Sequence, residues 1–255
     1  MTVQPTPEPA PRSTAPAPLL DIRDLGYRRG HADQSFTVLL PRLELARGET
    51  LAVTGESGSG KSTLLELLGL AAAPLPGADF QWYRQGSEPL DVSALWRRRA
   101  EGRLAGLRAG AIGFVMQTGG LLPFLTVREN ININRRLLGL REDDPGVTDL
   151  VDALELGRLM SKRPGQLSIG QQQRASIGRA LAHRPALLLA DEPSSALDPR
   201  LSGKVLGLLR ALSAGLGTAV IIATHEQRRV RRLGMRELRA RPWPRPGVLG
   251  SRFEE

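Results

Sequence analysis

ETLAVTGESGSGKSTLLELLGL, residues 49–70, decides the reading of this chain. ETLAVT is a β-rich apolar run ending at a glycine, and STLLELLGL carries leucines at the spacing of a buried helix. Between them GESGSGKST, residues 55–63, satisfies G-x-x-x-x-G-K-[ST] at every fixed position. The glycines let the backbone curl so that successive N–H groups face an anion, and the positive end of the following helix reinforces it. Gly55, Glu56, Ser57, Gly58, Ser59, Gly60, Lys61, Ser62 and Thr63 are therefore the candidate phosphate cradle. Lys61 is expected to reach the outer phosphates and the Ser62 hydroxyl to ligate Mg²⁺. A glycine-rich turn with an incidental lysine is the plainer alternative; the flanking strand and helix argue against it.

Downstream, ALLLAD at 186–191 is short, fully apolar and set between Pro185 and Pro193. TAVIIAT at 218–224 has the same character, and the amphipathic run LSGKVLGLLRALSAGLG at 201–217 lies between the two. Continuous apolar runs of this length fit strands covered on both faces. Strand, helix, strand, helix predicts an open α/β sheet with ligands at the carboxyl ends of its strands. Asp191 and Glu192 end one such strand. Beside a phosphate loop, Asp191 suits Mg²⁺ and Glu192 suits orienting and deprotonating a water. Without that loop the pair reads as a helix cap.

Composition limits what else the chain can be. It has no cysteine, which excludes a disulfide scaffold, thiolate catalysis and cysteine-ligated zinc. No run approaches the ~20 apolar residues needed to cross a bilayer. The first residues lack the basic start and apolar centre of a secretory signal, so an intracellular, soluble chain is expected. The net charge of +9 permits contact with anionic lipid or nucleic acid but selects neither.

Six prolines among residues 1–18 predict a disordered tail. Residues 74–93 read as loops with short strands, 94–108 as an arginine-rich helical stretch, AIGFVMQ as a strand, and 118–185 as mainly helical. After His225 the arginine-rich stretch 228–255 blurs any strand pattern and is expected to be a solvated tail, its arginines meeting acidic headgroups as the alternative.

LSIGQQQR at 167–174, ahead of Asp191, separates this chain from other phosphate-loop enzymes. With it the chain resembles the ATP-binding cassette of ABC transporters from about residue 20 to about residue 226. Tyr27, GESGSGKST, Gln117, LSIGQ, ALLLADEP, SSALD and His225 occur in that family's order. The resemblance implies an α/β fold: a P-loop NTPase core with a mainly parallel sheet, a small antiparallel β part and an inserted α-helical subdomain at about 118–165. The cassette itself would span 19–227.

The resemblance also assigns roles. Tyr27 would stack on adenine, with core packing as the rival reading. Gln117 would contact Mg²⁺ or the water and report nucleotide state to the membrane partner. Ser168, Gly170 and Gln171, at a helix N-terminus, would face the ATP held by a second subunit, and Asp198 would couple the two sites. Glu192 and His225 would manage the attacking water, with Lys61 on the phosphates. ATP and Mg²⁺ are the implied ligands. The implied partners are a second cassette, in a homodimer, and an integral membrane permease, through which the chain meets the inner face of the plasma membrane. No direct nucleic-acid contact is expected.

Three features depart from the pattern: Ile169 where glycine is usual, Gly178 inside a helix at a cost of about 1 kcal/mol against alanine, and the C-terminal stretch. GFVMQTGGLLPFLTVREN and DVSALWRRRAEGRLAGLRAG are similar to lipoprotein-releasing and macrolide-efflux cassettes, whereas SSALDP is commoner in others, including small-solute importers. A soluble or purely regulatory cassette remains the alternative.

Overall fold

A computed structural model of the chain describes residues 18–30, 35–117, 119–194, 199–242 and 249–255. The expected proline-rich tail thus falls outside the described residues except for Pro18, which begins a strand.

The apolar runs form the centre of the sheet. β3 (Thr50–Thr54), β6 (Ile112–Val115), β7 (Leu187–Asp191) and β8 (Ala219–Thr224) lie parallel in the order β3-β8-β7-β6. Alternate side chains serve two cores. Leu187, Leu189, Ala219, Ile221 and Ala223 pack with Leu64, Leu65 and Leu68 of α1 (Lys61–Leu68). Leu188, Ala190, Val220 and Ile222 pack on the opposite face with Ile177 and Leu181 of α6 (Ile169–Leu181) and with Leu206 and Leu209 of α7 (Pro199–Leu216). Each fully buried leucine contributes about 2 kcal/mol relative to exposure, so both faces hold the sheet in register.

The antiparallel part is built from β1 (Pro18–Arg29), β2 (Phe36–Ala46), β4 (Asp79–Trp82) and β5 (Leu90–Asp91), in the order β5-β4-β1-β2. The arginine-rich stretch after it is two helices, α2 (Val92–Arg97) and α3 (Glu101–Ala111). Arg99, at φ 51°, turns the chain between them without a glycine or proline to announce the break.

The C-terminal stretch corrects the sequence reading. It forms α8 (Gln227–Arg232), β9 (Arg236–Pro242) and β10 (Leu249–Glu254). β9 pairs parallel with β3, while β10 pairs antiparallel with β9 and parallel with β2. These strands join the antiparallel part to the parallel core, so the whole is one sheet of ten strands among the described residues. The pattern was hidden because β9 buries Leu238 while three arginines and a glutamate occupy four of its other six positions.

The region expected to hold an inserted helical unit contains α4 (Val127–Leu137) and α5 (Pro145–Ala153). Thr126 and Glu129 form a capping box on α4, and Asp144 with Pro145 starts α5. Val127, Ile131, Leu150, Val151 and Leu154 share one core with α6 and the sheet face beneath it.

Candidate functional site

Parallel register brings the carboxyl ends of the core strands together. Thr54 lies beside Thr224, Asp191 beside Ala223, and Val115 beside Ala190. The residues that follow these ends are Gly55, His225, Glu192 and, a step further on, Gln117.

The loop after β3 is shaped by glycines that nothing larger can replace. Gly60 caps α1 with φ 85°, and a Cβ there would stand 2.7 Å from Val38 Cγ2. A Cβ on Gly55 would stand 2.5 Å from Ser59 Oγ and 2.7 Å from Ala240 Cβ, so β9 presses directly on the loop. Lys61, the first residue of α1, is buried. Its Nζ donates to the main-chain oxygens of Gly55 at 3.0 Å and Glu56 at 2.8 Å. Ser59 Oγ is buried with no hydrogen-bond partner among the described residues.

Asp191 and Glu192 divide their work by geometry. Burial pushes the Asp191 carboxyl above its ordinary range, and a hydrogen bond with Ser62 opposes that shift. Glu192 adopts φ 43°, a backbone that side chains other than glycine rarely take, and its N–H donates to Ala223 O at 2.9 Å. That turn aims its carboxylate across the site: Oε1 is 3.7 Å from Lys61 Nζ, and Oε2 is 3.3 Å from His225 Nδ1. The His225 side chain is 56% exposed, open to whatever enters.

Ser62 and Asp191 suit a hard divalent cation: a hydroxyl bonded to a half-buried carboxylate whose ionised form lacks full solvation. Among the described residues no cluster of three or more His, Cys, Asp or Glu forms a metal cage.

The remaining candidates surround this centre. Gln117 is exposed just beyond β6. Tyr27 is partly buried against the core and pairs across strands with Val38, whose methyl borders Gly60; this joins the strand of Tyr27 to the phosphate loop without deciding between stacking and packing. Ser168 and Gln171 form a capping box at the start of α6, Ser168 Oγ accepting from Gln171 N at 3.3 Å and Gln171 Oε1 from Ser168 N at 3.0 Å. Gly170 follows in the first turn, and Ile169 begins the helix without positive φ, which accounts for a β-branched residue there. Asp198 lies outside the described residues.

Several residues near the site were not legible as such. Phe36 places Cε1 3.0 Å from the Cβ position of Gly60, giving the loop an aromatic neighbour besides Tyr27. Arg179 and Asn130 hold the loop that follows Gln117. Gly178 has a clear purpose: a Cβ there would meet Leu154 Cδ1 at 3.2 Å and Ile131 Cδ1 at 3.3 Å, so its absence lets α6 approach α4 and α5 closely.

Phosphate loop, strand-end carboxylates and histidine on a parallel α/β sheet define a nucleotide-hydrolysing cassette of the P-loop class. The comparisons make the class specific. The ABC transporter family profile matches residues 41–195, and the chain belongs to that family. It is 41% identical over 222 residues to the macrolide export ATP-binding/permease protein MacB of Nitrosomonas europaea, covering 84% of this chain and 32% of that protein. It is 37% identical over 213 residues to the lipoprotein-releasing system ATP-binding protein LolD of Geobacter metallireducens, covering 82% of this chain and 90% of that one. Among solved structures it matches the dimeric ATP-binding cassette MJ0796 bound to ADP and Pi, with TM-score 0.69, 29% identity and coverage of 84% of this chain and 90% of that chain. No helix among the described residues is long and apolar enough to cross a membrane.

Proposed function

We propose that the chain is the ATP-binding and ATP-hydrolysing motor of a bacterial transporter, pairing head to tail with a second copy around two ATP molecules. It drives a separate membrane permease of the lipoprotein-release or macrolide-export kind, and is held at the inner face of the plasma membrane through that permease. The observation that carries this reading is the meeting of Lys61, Glu192 and His225 at one end of the parallel strands, with Ser62 and Asp191 beside them. The transport class rests on the names of MacB and LolD.

The mechanism asks for charge management rather than covalent chemistry. Lys61 exchanges the Gly55 and Glu56 carbonyls for phosphate oxygens, and the N–H groups of residues 55–63 complete the cradle. Ser62 and Asp191 would hold Mg²⁺, which would neutralise phosphate charge, and Gln117 would contact it or the water. Glu192 aligns the attacking water and accepts its proton, while His225, on the same carboxylate, steadies the γ-phosphate. Tyr27 receives the adenine. Ser168, Gly170 and Gln171 complete the partner's site from the N-terminus of α6, and Asp198 couples the two sites.

A tagged Glu192→Gln chain, purified with ATP and Mg²⁺ from detergent-solubilised cells, tests this reading. Co-purification of a permease with few transmembrane helices and a large outer domain is the expected result. A many-helix permease points instead to an importer or another exporter. Recovery with ribosomes, DNA or no membrane protein, with ATP binding intact, overturns the transporter reading and leaves the ATPase site standing.

A further inference from the structure

Arg179 sits on α6 two and a half turns beyond the signature residues; it is partly buried, and its fork turns to main-chain carbonyls. Nη1 donates to Gly120 O at 2.5 Å and Nη2 to Gly119 O at 3.3 Å. Burial holds this guanidinium below the usual arginine range, and among the described residues no carboxylate forms an ion pair with it. A partly desolvated cation whose two hydrogen bonds both go to main-chain carbonyls costs more than a solvated surface arginine, so its placement calls for a reason.

The two carbonyls belong to the loop that follows Gln117. Gly119 and Gly120 take φ 73° and 59°, so the backbone is curled to present both oxygens to one guanidinium. The far end of the same loop is held by buried Asn130 of α4, which accepts from Leu122 N at 2.8 Å and donates to Leu122 O at 3.1 Å and Leu125 O at 3.2 Å. The helix carrying Arg179 is itself fixed. A Cβ on Gly113 of β6 would stand 2.2 Å from Ala180 O, so α6 lies directly on the backbone of the strand that leads to Gln117. At its other end the Ser168–Gln171 box stiffens the first turn. A 13-residue helix transmits displacement as a rod about 20 Å long.

We propose that Arg179 is a positioning residue that ties the Gln117 loop to the signature helix, so that the phosphate state of one nucleotide site moves the signature offered to the other. This rests on the head-to-tail ATPase reading above. Its chemistry is that of a bidentate fork on two carbonyls; lysine, a point donor, serves one of them at a time.

The test uses the full chain, with Arg179→Gln and Arg179→Lys made in the wild-type and Glu192→Gln backgrounds. Three quantities are read: ATP affinity, steady-state kcat and KM, and hydrogen exchange of the peptides spanning 116–126 and 167–176 with and without Mg²⁺-ATP. Wild type is expected to gain protection in both peptides together. Arg179→Gln is expected to keep ATP affinity within about twofold while kcat falls tenfold or more and the two peptides respond independently, with Arg179→Lys intermediate. Wild-type kcat with joint protection in either variant overturns the proposal, as does a loss of ATP affinity that parallels a loss of folded protein in both. If the wild-type chain itself shows no ATP-dependent pairing or hydrolysis, the functional reading has failed instead, so the two failures are distinct.

Discussion

Glu192 Oε1 lies 3.7 Å from Lys61 Nζ, with the two side chains 17% and 5% exposed. The carboxylate beyond one strand and the ammonium of the phosphate loop compensate each other inside the site. Truncating one partner of such a pair leaves the other buried and uncompensated. On the proposed reading an entering triphosphate would compete with Glu192 for Lys61, leaving the carboxylate beside His225, whose Nδ1 is 3.3 Å from its other oxygen.

Replacing Glu192 by Gln keeps the shape and removes the competing charge. ATP is expected to bind at least as tightly as to wild type, while hydrolysis falls by about 10²–10⁴-fold with the loss of the general base. Lys61→Ala is expected to lose ATP binding itself. Nucleotide titration and phosphate release separate the two; wild-type turnover by the Gln variant removes Glu192 from the hydrolytic role.

The end of the chain tests whether β10 is structural. Phe253 is fully buried in the core shared by β2 and β3, and β10 is the strand that bridges β2 and β9. Phe253→Ala is expected to cost about 3–5 kcal/mol in chemical denaturation. Deleting residues 249–255 is expected to be worse, because it also opens the sheet between β2 and β9. A deletion that melts like wild type would show that the bridge contributes nothing.

Glu237 gives the fold a pH dependence of known sign. Burial alone would raise its carboxyl, but hydrogen bonds from Arg239 at 2.8 Å and Thr54 at 2.6 Å outweigh that and hold it below the ordinary carboxylate range. A carboxylate with a depressed folded-state pKa stabilises the protein above its unfolded pKa, and the contribution is lost as pH falls through the folded one. The tie between β9 and the last residue of β3 is therefore expected to weaken in acid. Glu237→Gln is expected to lower stability near pH 7 and to flatten its decline on acidification; thermal melts from pH 7 to pH 3 read both. Parallel curves for variant and wild type would rule the tie out.

Much of the architecture was legible because the informative residues are apolar on both faces of a strand. ALLLAD and TAVIIAT could only be central, and once they are parallel their ends must gather Lys61, Asp191, Glu192 and His225. β9 was not legible because arginine stems and a bonded Glu237 occupy positions that a half-buried strand would normally give to apolar side chains. The break between α2 and α3 carries no glycine or proline, only Arg99 in a left-handed turn. The roles of Gly178, Phe36 and Arg179 depend on what lies opposite them in space, and periodicity does not report that.

Ile169 sets stability against rate. It starts α6 with its side chain 61% exposed, beside the Ser168 cap and Gly170. Exposed, the side chain contributes little to the core, yet it stands in the first turn of the helix whose N-terminus the proposed partner nucleotide approaches. Ile169→Gly frees that approach and gives up helix propensity, worth up to about 1 kcal/mol. The expected outcome is a slightly lower melting temperature together with a faster ATP-dependent pairing and a higher kcat. Measured in one preparation, the two readouts should move in opposite directions. A variant that loses both stability and rate would mean that Ile169 supports the signature turn, and that the side chain is no obstacle to the nucleotide.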